Sequence, residues 1–487
     1  MKIVTVAEHR SLEEYADVAH VAPAVHELHA EAEEVAPRLA GRTVWLVNST
    51  EQGGGVAEML PALVFLLREL GVRTEWAVIE SDEPAFFHLT KRIHNLIHGE
   101  GAPGFDAADR ELYERVSRAN ADALRTRVQP GDVLIVHDPQ PLPIATYLRE
   151  TMPLVTIWRS HIGHDQENAA TRAAWEFLAP YFGAYDRAVF SAAEYIPPAF
   201  AGHATVIYPG IDPLAAKNRE LSLGEAVDVL CNGGLIACPG PTVALPFGAL
   251  AHRALPDGRF VPAGMGEDIG LLTRPIVTQV SRWDKLKGWL PLMRAFAELK
   301  HSIYGESAGD PLHRRRLDLV RLVLAGPEPA AIQDDPEAQA FLEEILALYG
   351  SLHPAVQDDI AILALPMQSR DENALMVNAL QRASTVVVQN SLREGFGLTI
   401  AEAMWKRVPV LSNSRACGPR QQVRDGLDGR LIADPEDTSE LSRALNEMLS
   451  DPHRLDRWGR SAQRRVHELF LIFSQLRAWG RLMMEVI

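Results

Sequence analysis

At 487 residues the chain is too long for a single hydrophobic core, so two domains of about 200 residues each are expected. Its 47% hydrophobic and 23% charged content is that of a globular protein and excludes wholesale disorder. The net charge of −16 excludes nucleic acid and anionic membranes as main partners, while leaving room for a basic pocket in an acidic surface.

Cys231, Cys238 and Cys417 form neither an even disulfide framework nor a metal-ligand set, which favours a reducing compartment. Residues Met1 to Leu12 carry no apolar core followed by a small-residue cleavage site, and no apolar run approaches the ~18 residues of a membrane span. A cytoplasmic protein is the expectation.

Residues 1–40 are acidic and helix-prone, and read as an N-terminal extension packed on the first domain. A buried strand over 43–48 then runs into Gln52-Gly53-Gly54-Gly55 and a helix over 56–70. That order suits phosphate or sugar binding, because stacked N–H groups and a helix dipole point into one space. A tight turn that only lets helix and strand pack explains the glycines equally well. Strands over 74–80 and 132–136 alternate with helices over 83–97 and 107–127. The second strand ends in His137-Asp138-Pro139-Gln140, and the next, 154–158, in Arg159-Ser160-His161. Polar side chains at the carboxyl ends of consecutive strands occupy the place where open α/β sheets bind ligands. A helix over 168–182 and strands over 187–190 and 204–208 complete a first domain, 1–215.

Residues 216–273 are rich in glycine and proline and read as a linker plus an insertion, with the fold left open. Alternation resumes over 274–469. A strand over 275–282 leads into Trp283–Gly288 and a helix, placing Arg282 and Lys287 at a strand-loop-helix junction that suits a leaving diphosphate. A strand over 321–325 ends in Gly326-Pro327-Glu328, and another covers 359–365. The apolar run 384–389 then enters Glu394-Gly395-Phe396-Gly397-Leu398 and a helix carrying Glu402. Two glycines expose backbone at a helix start, and the two acids can meet opposite ends of one molecule, as a nucleotide sugar requires. After a strand over 408–411 come helices over 438–450, 452–469 and 470–487; the last has apolar residues without an obvious local partner and is expected to return to the first domain.

Taken together, Ser281-Arg282 with Lys287 and the run Glu394 to Glu402 resemble the retaining GT-B glycosyltransferases of family four. The trehalose synthase/trehalose phosphorylase branch is more similar still. Its marks are Gly-Gly-Val-Ala-Glu (54–58), His-Asp-Pro-Gln (137–140), Trp-Arg-Ser-His (158–161), Pro-Gly-Ile-Asp-Pro (209–213), Gln-Val-Ser-Arg (279–282), Asn-Ala-Leu-Gln-Arg-Ala-Ser (378–384) and Ala-Met-Trp-Lys (403–406). The chain departs from the family in having Gly288-Trp289 where Asp-Pro usually follows the lysine.

The resemblance implies two Rossmann-like domains facing across a cleft, with the C-terminal domain taking a nucleoside diphosphate glucose and the N-terminal one the acceptor. Arg282 and Lys287 would hold the diphosphate, Glu402 the ribose, and Glu394 the glucosyl group. Gly54, Gly55, Glu328, Gly395, Phe396, Gly397 and Leu398 would complete the donor site. His161 would sit beside the sugar, and His137, Asp138, Gln140 and Arg159 at the acceptor. The implied reaction joins glucose from the donor to glucose, giving α,α-trehalose, with no cofactor and no metal for donor binding. Trehalose phosphorolysis, another small acceptor, and a catalytically idle sugar-nucleotide-binding protein stay open, as does a homodimer.

Overall fold

The computed structural model describes the whole chain except residues 7–8, 52–54, 239–245, 266–267, 303–309 and 333–335. Two α/β units make it up, residues 1–212 with 469–487, and residues 213–468.

The first unit holds strands β1 (Lys2–Val4), β2 (Val44–Asn48), β3 (Thr74–Val78), β4 (Val133–His137), β5 (Val155–Ser160), β6 (Arg187–Phe190) and β7 (Ala204–Val206). Their order is β1-β3-β2-β4-β5-β6-β7. All neighbours are parallel except β1, which runs antiparallel to β3 at the edge. Residues 1–40, helix-prone by sequence, form two helices and also β1, a three-residue edge strand too short to leave a pattern. Strands β2 and β4 are buried along their whole length, as parallel strands covered on both faces must be, and hence read as unbroken apolar runs. The chain builds β3 on one side of β2, then crosses to place β4 on the other. The sheet's topological switch point thus lies between β2 and β4.

The C-terminal helix, Ile472–Val486, packs in this unit against helices Ala22–Leu39 and Gly55–Glu69. Its apolar stripe, Leu476, Trp479, Leu482 and Met483, is buried. Arg477 pairs with Glu31 at 2.7 Å, and Phe473 meets Tyr15 edge-on with centroids 5.1 Å apart. Backbone bonds from Ile211 N to Phe470 O (2.8 Å) and Ile472 N to Ile211 O (2.9 Å) anchor its start.

The second unit holds β8 (His252–Ala254), β9 (Phe260–Pro262), β10 (Ile276–Val280), β11 (Arg321–Pro327), β12 (Ile360–Leu365), β13 (Val386–Val388), β14 (Val410–Asn413) and β15 (Gly429–Ile432). Their order is β15-β14-β13-β10-β11-β12-β8-β9, so the switch point falls between β10 and β13. Alternate residues feed two cores. Val277, Leu322, Leu324, Ile360 and Ile362 face one way, while Ile276, Val323, Ala325, Ala361 and Leu363 face the other. The stretch whose fold the sequence left open supplies helix Leu223–Asn232 and the β8–β9 hairpin, and β8 extends the sheet antiparallel to β12. Among the described residues no helix is long and apolar enough to cross a membrane.

Candidate functional site

In the second unit the loops leaving β10 and β13 come together because those strands are neighbours at the switch point. Asp284 caps the short turn Lys285–Lys287 by accepting from Leu286 N at 2.8 Å. Gly288 then takes the left-handed conformation (φ 64°), and a Cβ there would lie 2.1 Å from Asn390 O, so no side chain fits between the loops. Gln279 ties both together: its Nε2 donates to Lys287 O (2.8 Å) and its Oε1 accepts from Asn390 N (3.0 Å). Leu392 N donates to Leu286 O at 2.8 Å.

On this frame Lys287 Nζ donates to Glu394 Oε2 at 2.7 Å, both side chains being 15% exposed. The same oxygen accepts from Ser391 Oγ (3.1 Å) and Gln389 Nε2 (3.3 Å). Sequence reasoning assigned Lys287 to the diphosphate and Glu394 to the sugar as separate contacts; the structure pairs them. Arg282 lies exposed before Trp283, its carbonyl accepting from Trp289 Nε1 at 3.0 Å. Gly397 (φ 82°) is the N-cap of helix Leu398–Trp405, and buried Phe396 is held by Gln422 Nε2, which donates to its carbonyl and to Gly397 O at 3.2 Å. Gly395 and Leu398 flank this turn.

Glu402, one turn further, is 7% exposed, with its Oε1 3.7 Å from Lys217 Nζ. Glu328 instead anchors the loop after β12, accepting from Met367 N (3.1 Å) and Gln368 Nε2 (2.7 Å). Sequence reasoning missed Gln279, Gln389, Asn390 and Ser391; amides and a hydroxyl inside a buried apolar strand end were the available signal. Lys217 carried none, lying far away in sequence.

In the first unit, His137 Nδ1 and His161 Nε2 share a hydrogen bond of 3.0 Å, with rings stacked 5.3 Å apart. Asp138 sits at φ 63°, a conformation rare outside glycine, and accepts from His161 N at 2.8 Å. Its own N–H donates to Arg159 O (2.7 Å), and its carbonyl accepts from Trp158 Nε1 (3.1 Å). Arg159 is fully buried, giving Nη2 to Ser191 Oγ at 3.1 Å. Its Nε and Nη1, with His137 Nε2 and Gln140 Oε1, are buried without partners among the described residues.

Burial sets the charges here. It brings the Arg159 guanidinium down to about 9, against a raising contribution from Asp138. It also takes His137 down to about 3 and His161 well below the usual imidazole range, Arg159 adding to both. Both imidazoles are thus neutral at physiological pH. Asp138 is pushed up to about 6 by desolvation, opposed by the His161 N–H and Arg159. Gly53 and Gly54 lie outside the described residues, and Gly55 begins helix Gly55–Glu69.

The folded Asp138 pKa lies above its ordinary 3.8. The cost of its buried charge is therefore full above about 6 and disappears below 3.8. If its carboxylate is the working form, kcat/KM falls as pH drops through about 6, and Asp138→Asn removes that limb from the pH–rate profile. An acid limb unchanged in the variant would assign it to another group.

Solved structures of the same fold include an α,α-trehalose-phosphate synthase (UDP-forming) from Burkholderia vietnamiensis, with TM-score 0.65 and 18% identity over 91% of this chain and 99% of that one. A sucrose-phosphate synthase from Thermosynechococcus elongatus matches at TM-score 0.59 and 15% identity, over 91% of this chain and 98% of that one. The fold is that of the GT-B glycosyltransferases.

The family model "Trehalose synthase, N-terminal domain" matches residues 46–197, and "Glycosyl transferases group 1" matches 366–465. Trehalose synthases of Pyrococcus horikoshii (33% identity, 91% of this chain, 90% of that one) and Rubrobacter xylanophilus (32%, 98% of each) align along nearly the whole length. The chain belongs to the trehalose synthase family and is a glycosyltransferase of trehalose metabolism. A trehalose phosphorylase from Grifola frondosa is 24% identical, and the chain spans 55% of its length.

Proposed function

We propose that this enzyme transfers glucose from a nucleoside diphosphate glucose to free glucose with retention, forming α,α-trehalose reversibly. The observation that carries the reading is the Lys287–Glu394 pair fixed at the switch point of a trehalose synthase family chain. In this account Lys287 and Arg282 neutralise the diphosphate as the bond from the glucosyl C1 to its oxygen breaks. The acceptor hydroxyl attacks the same face, and its proton passes to the departing phosphate oxygen. Glu394, turned by Lys287, Ser391 and Gln389, receives the glucosyl hydroxyls. Glu402 takes the ribose diol.

The first unit takes the acceptor. The unpartnered polar atoms of Arg159, His137 and Gln140 support this, since sugar hydroxyls would satisfy them and a neutral imidazole both donates and accepts. Glu328 belongs with the donor loops through its hold on residues 367 and 368.

Incubating trehalose with ADP or UDP, and separately with inorganic phosphate, tests the reading. Nucleoside diphosphate glucose as the product supports it; glucose 1-phosphate formed only with phosphate would make the enzyme a phosphorylase. Because Arg282 and Lys287 supply the positive charge, activity is expected to be unchanged by EDTA. A loss that magnesium or manganese restores would contradict that charge assignment.

A further inference from the structure

Behind Glu402 lies a second layer of charge that the transfer reaction does not use. Lys406, the C-cap of helix Leu398–Trp405, is only 8% exposed. Its Nζ donates to the Glu402 carbonyl at 3.0 Å and to Asn218 Oδ1 at 3.4 Å. Asn218 is itself buried, on a segment clamped from the other side: Asn378 Nδ2 donates to Ala216 O and to Arg219 O, both at 2.9 Å, and Arg382 Nη2 donates to Arg219 O at 2.9 Å. The same segment carries Lys217, whose Nζ stands 3.7 Å from Glu402 Oε1. Glu402 thus has a buried lysine bonded to its carbonyl at the helix end and a one-third-exposed lysine on a pinned loop beside its carboxylate.

For packing alone, an ammonium is a poor choice at position 406. Burial drives it down to about 7 although Glu402 pulls the other way, and Arg382 and Lys217 add to the repulsion. An apolar side chain of the same length would pack at least as well, since an isolated buried cation is costly to desolvate. What the lysine supplies and an apolar residue does not is a charged donor locking helix to loop, and compensating charge for the carboxylate beside it.

We propose that Lys406 and Lys217 are positioning residues for Glu402, holding its carboxylate in the orientation that receives the ribose diol of the nucleotide. Lys406 acts through the helix end and the loop, and Lys217 acts on the carboxylate directly. The inference rests on the reading of Glu402 as the ribose contact and extends it to the groups that set its geometry.

The test compares the inhibition constants of ADP and UDP with that of inorganic pyrophosphate, which has the charge but no ribose, in the wild type, Lys406→Met, Lys217→Met and Glu402→Gln. Both lysine variants should weaken the nucleoside diphosphates about tenfold and leave pyrophosphate within about twofold. Lys406→Met keeps the volume but takes a donor from Asn218 Oδ1 and from the Glu402 carbonyl and a compensating charge from Glu402, so a lower melting temperature is expected as well, and the nucleotide-to-pyrophosphate ratio is the deciding readout. Equal weakening of pyrophosphate and nucleotide, or a fall in melting temperature with unchanged affinity ratios, would overturn the proposal and leave the lysines a structural role. If Lys406→Met fails to fold, Lys217→Met at its more exposed site decides. Glu402→Gln separates the two readings: an unchanged nucleotide-to-pyrophosphate ratio there defeats the ribose assignment itself, whereas a changed ratio there with wild-type ratios in both lysine variants defeats only the positioning role.

Discussion

Replacing Lys287 by alanine is expected to lower kcat by about two to three orders of magnitude, with trehalose and glucose binding little changed. The leaving diphosphate gains charge as the glycosidic bond breaks, and a cation contact that strengthens at that moment contributes about 3–4 kcal/mol to the transition state. The structure adds a second consequence. Lys287 is an ion partner of Glu394, whose Oε2 also accepts from Ser391 and Gln389. Alanine therefore also costs about 1–3 kcal/mol of stability, because a mostly buried carboxylate loses its counter-charge. The double variant Lys287→Met with Glu394→Gln should recover most of that stability and none of the rate. Thermal melting alongside steady-state kinetics checks both. A Lys287→Ala enzyme that changed only in KM would move the leaving group elsewhere.

Glu402→Ala should behave in the opposite way. A hydrogen bond to the ribose is made equally in the ground and transition states, so the donor KM rises about ten- to a hundredfold while kcat at saturating donor stays near the wild-type value. The buried position makes truncation harsher than at a surface site, since Lys217 and Lys406, which repel each other, lose the negative charge that offsets them. Loss of kcat at saturating donor would show that Glu402 acts on the reacting end, and the two ends of the pocket would have to be exchanged.

Much of this site was legible in the chain because the loops that build it follow unbroken apolar strands. Val386–Val388 announces itself as buried, and the glycines and acids after it stand out against that run. Helices Thr438–Ser450 and Pro452–Leu469 were equally plain from their periodicity and bounding residues. Elements that depend on partners distant in sequence were not legible. The β8–β9 hairpin has three-residue strands beside prolines, and only the edge of β12 makes them strands. The three-residue β1 likewise exists by pairing with β3. At the site, the chain indicated Lys287 and Glu394 but not that they bind each other, because their contact follows from β10 and β13 being neighbours across the switch point. Lys217 and Asn218 fell in a stretch read as linker, and only folding brings them against Glu402 and Lys406.

In the proposed reaction glucose moves from a nucleotide to glucose with its anomeric configuration kept. Nucleoside diphosphate glucose labelled with ¹³C at C1, incubated with unlabelled glucose and followed by NMR, tests it most directly. The expected product is α,α-trehalose carrying the label at one α-configured anomeric carbon, together with released nucleoside diphosphate. A labelled β-configured anomeric carbon, or label passing to phosphate rather than to glucose, would contradict it.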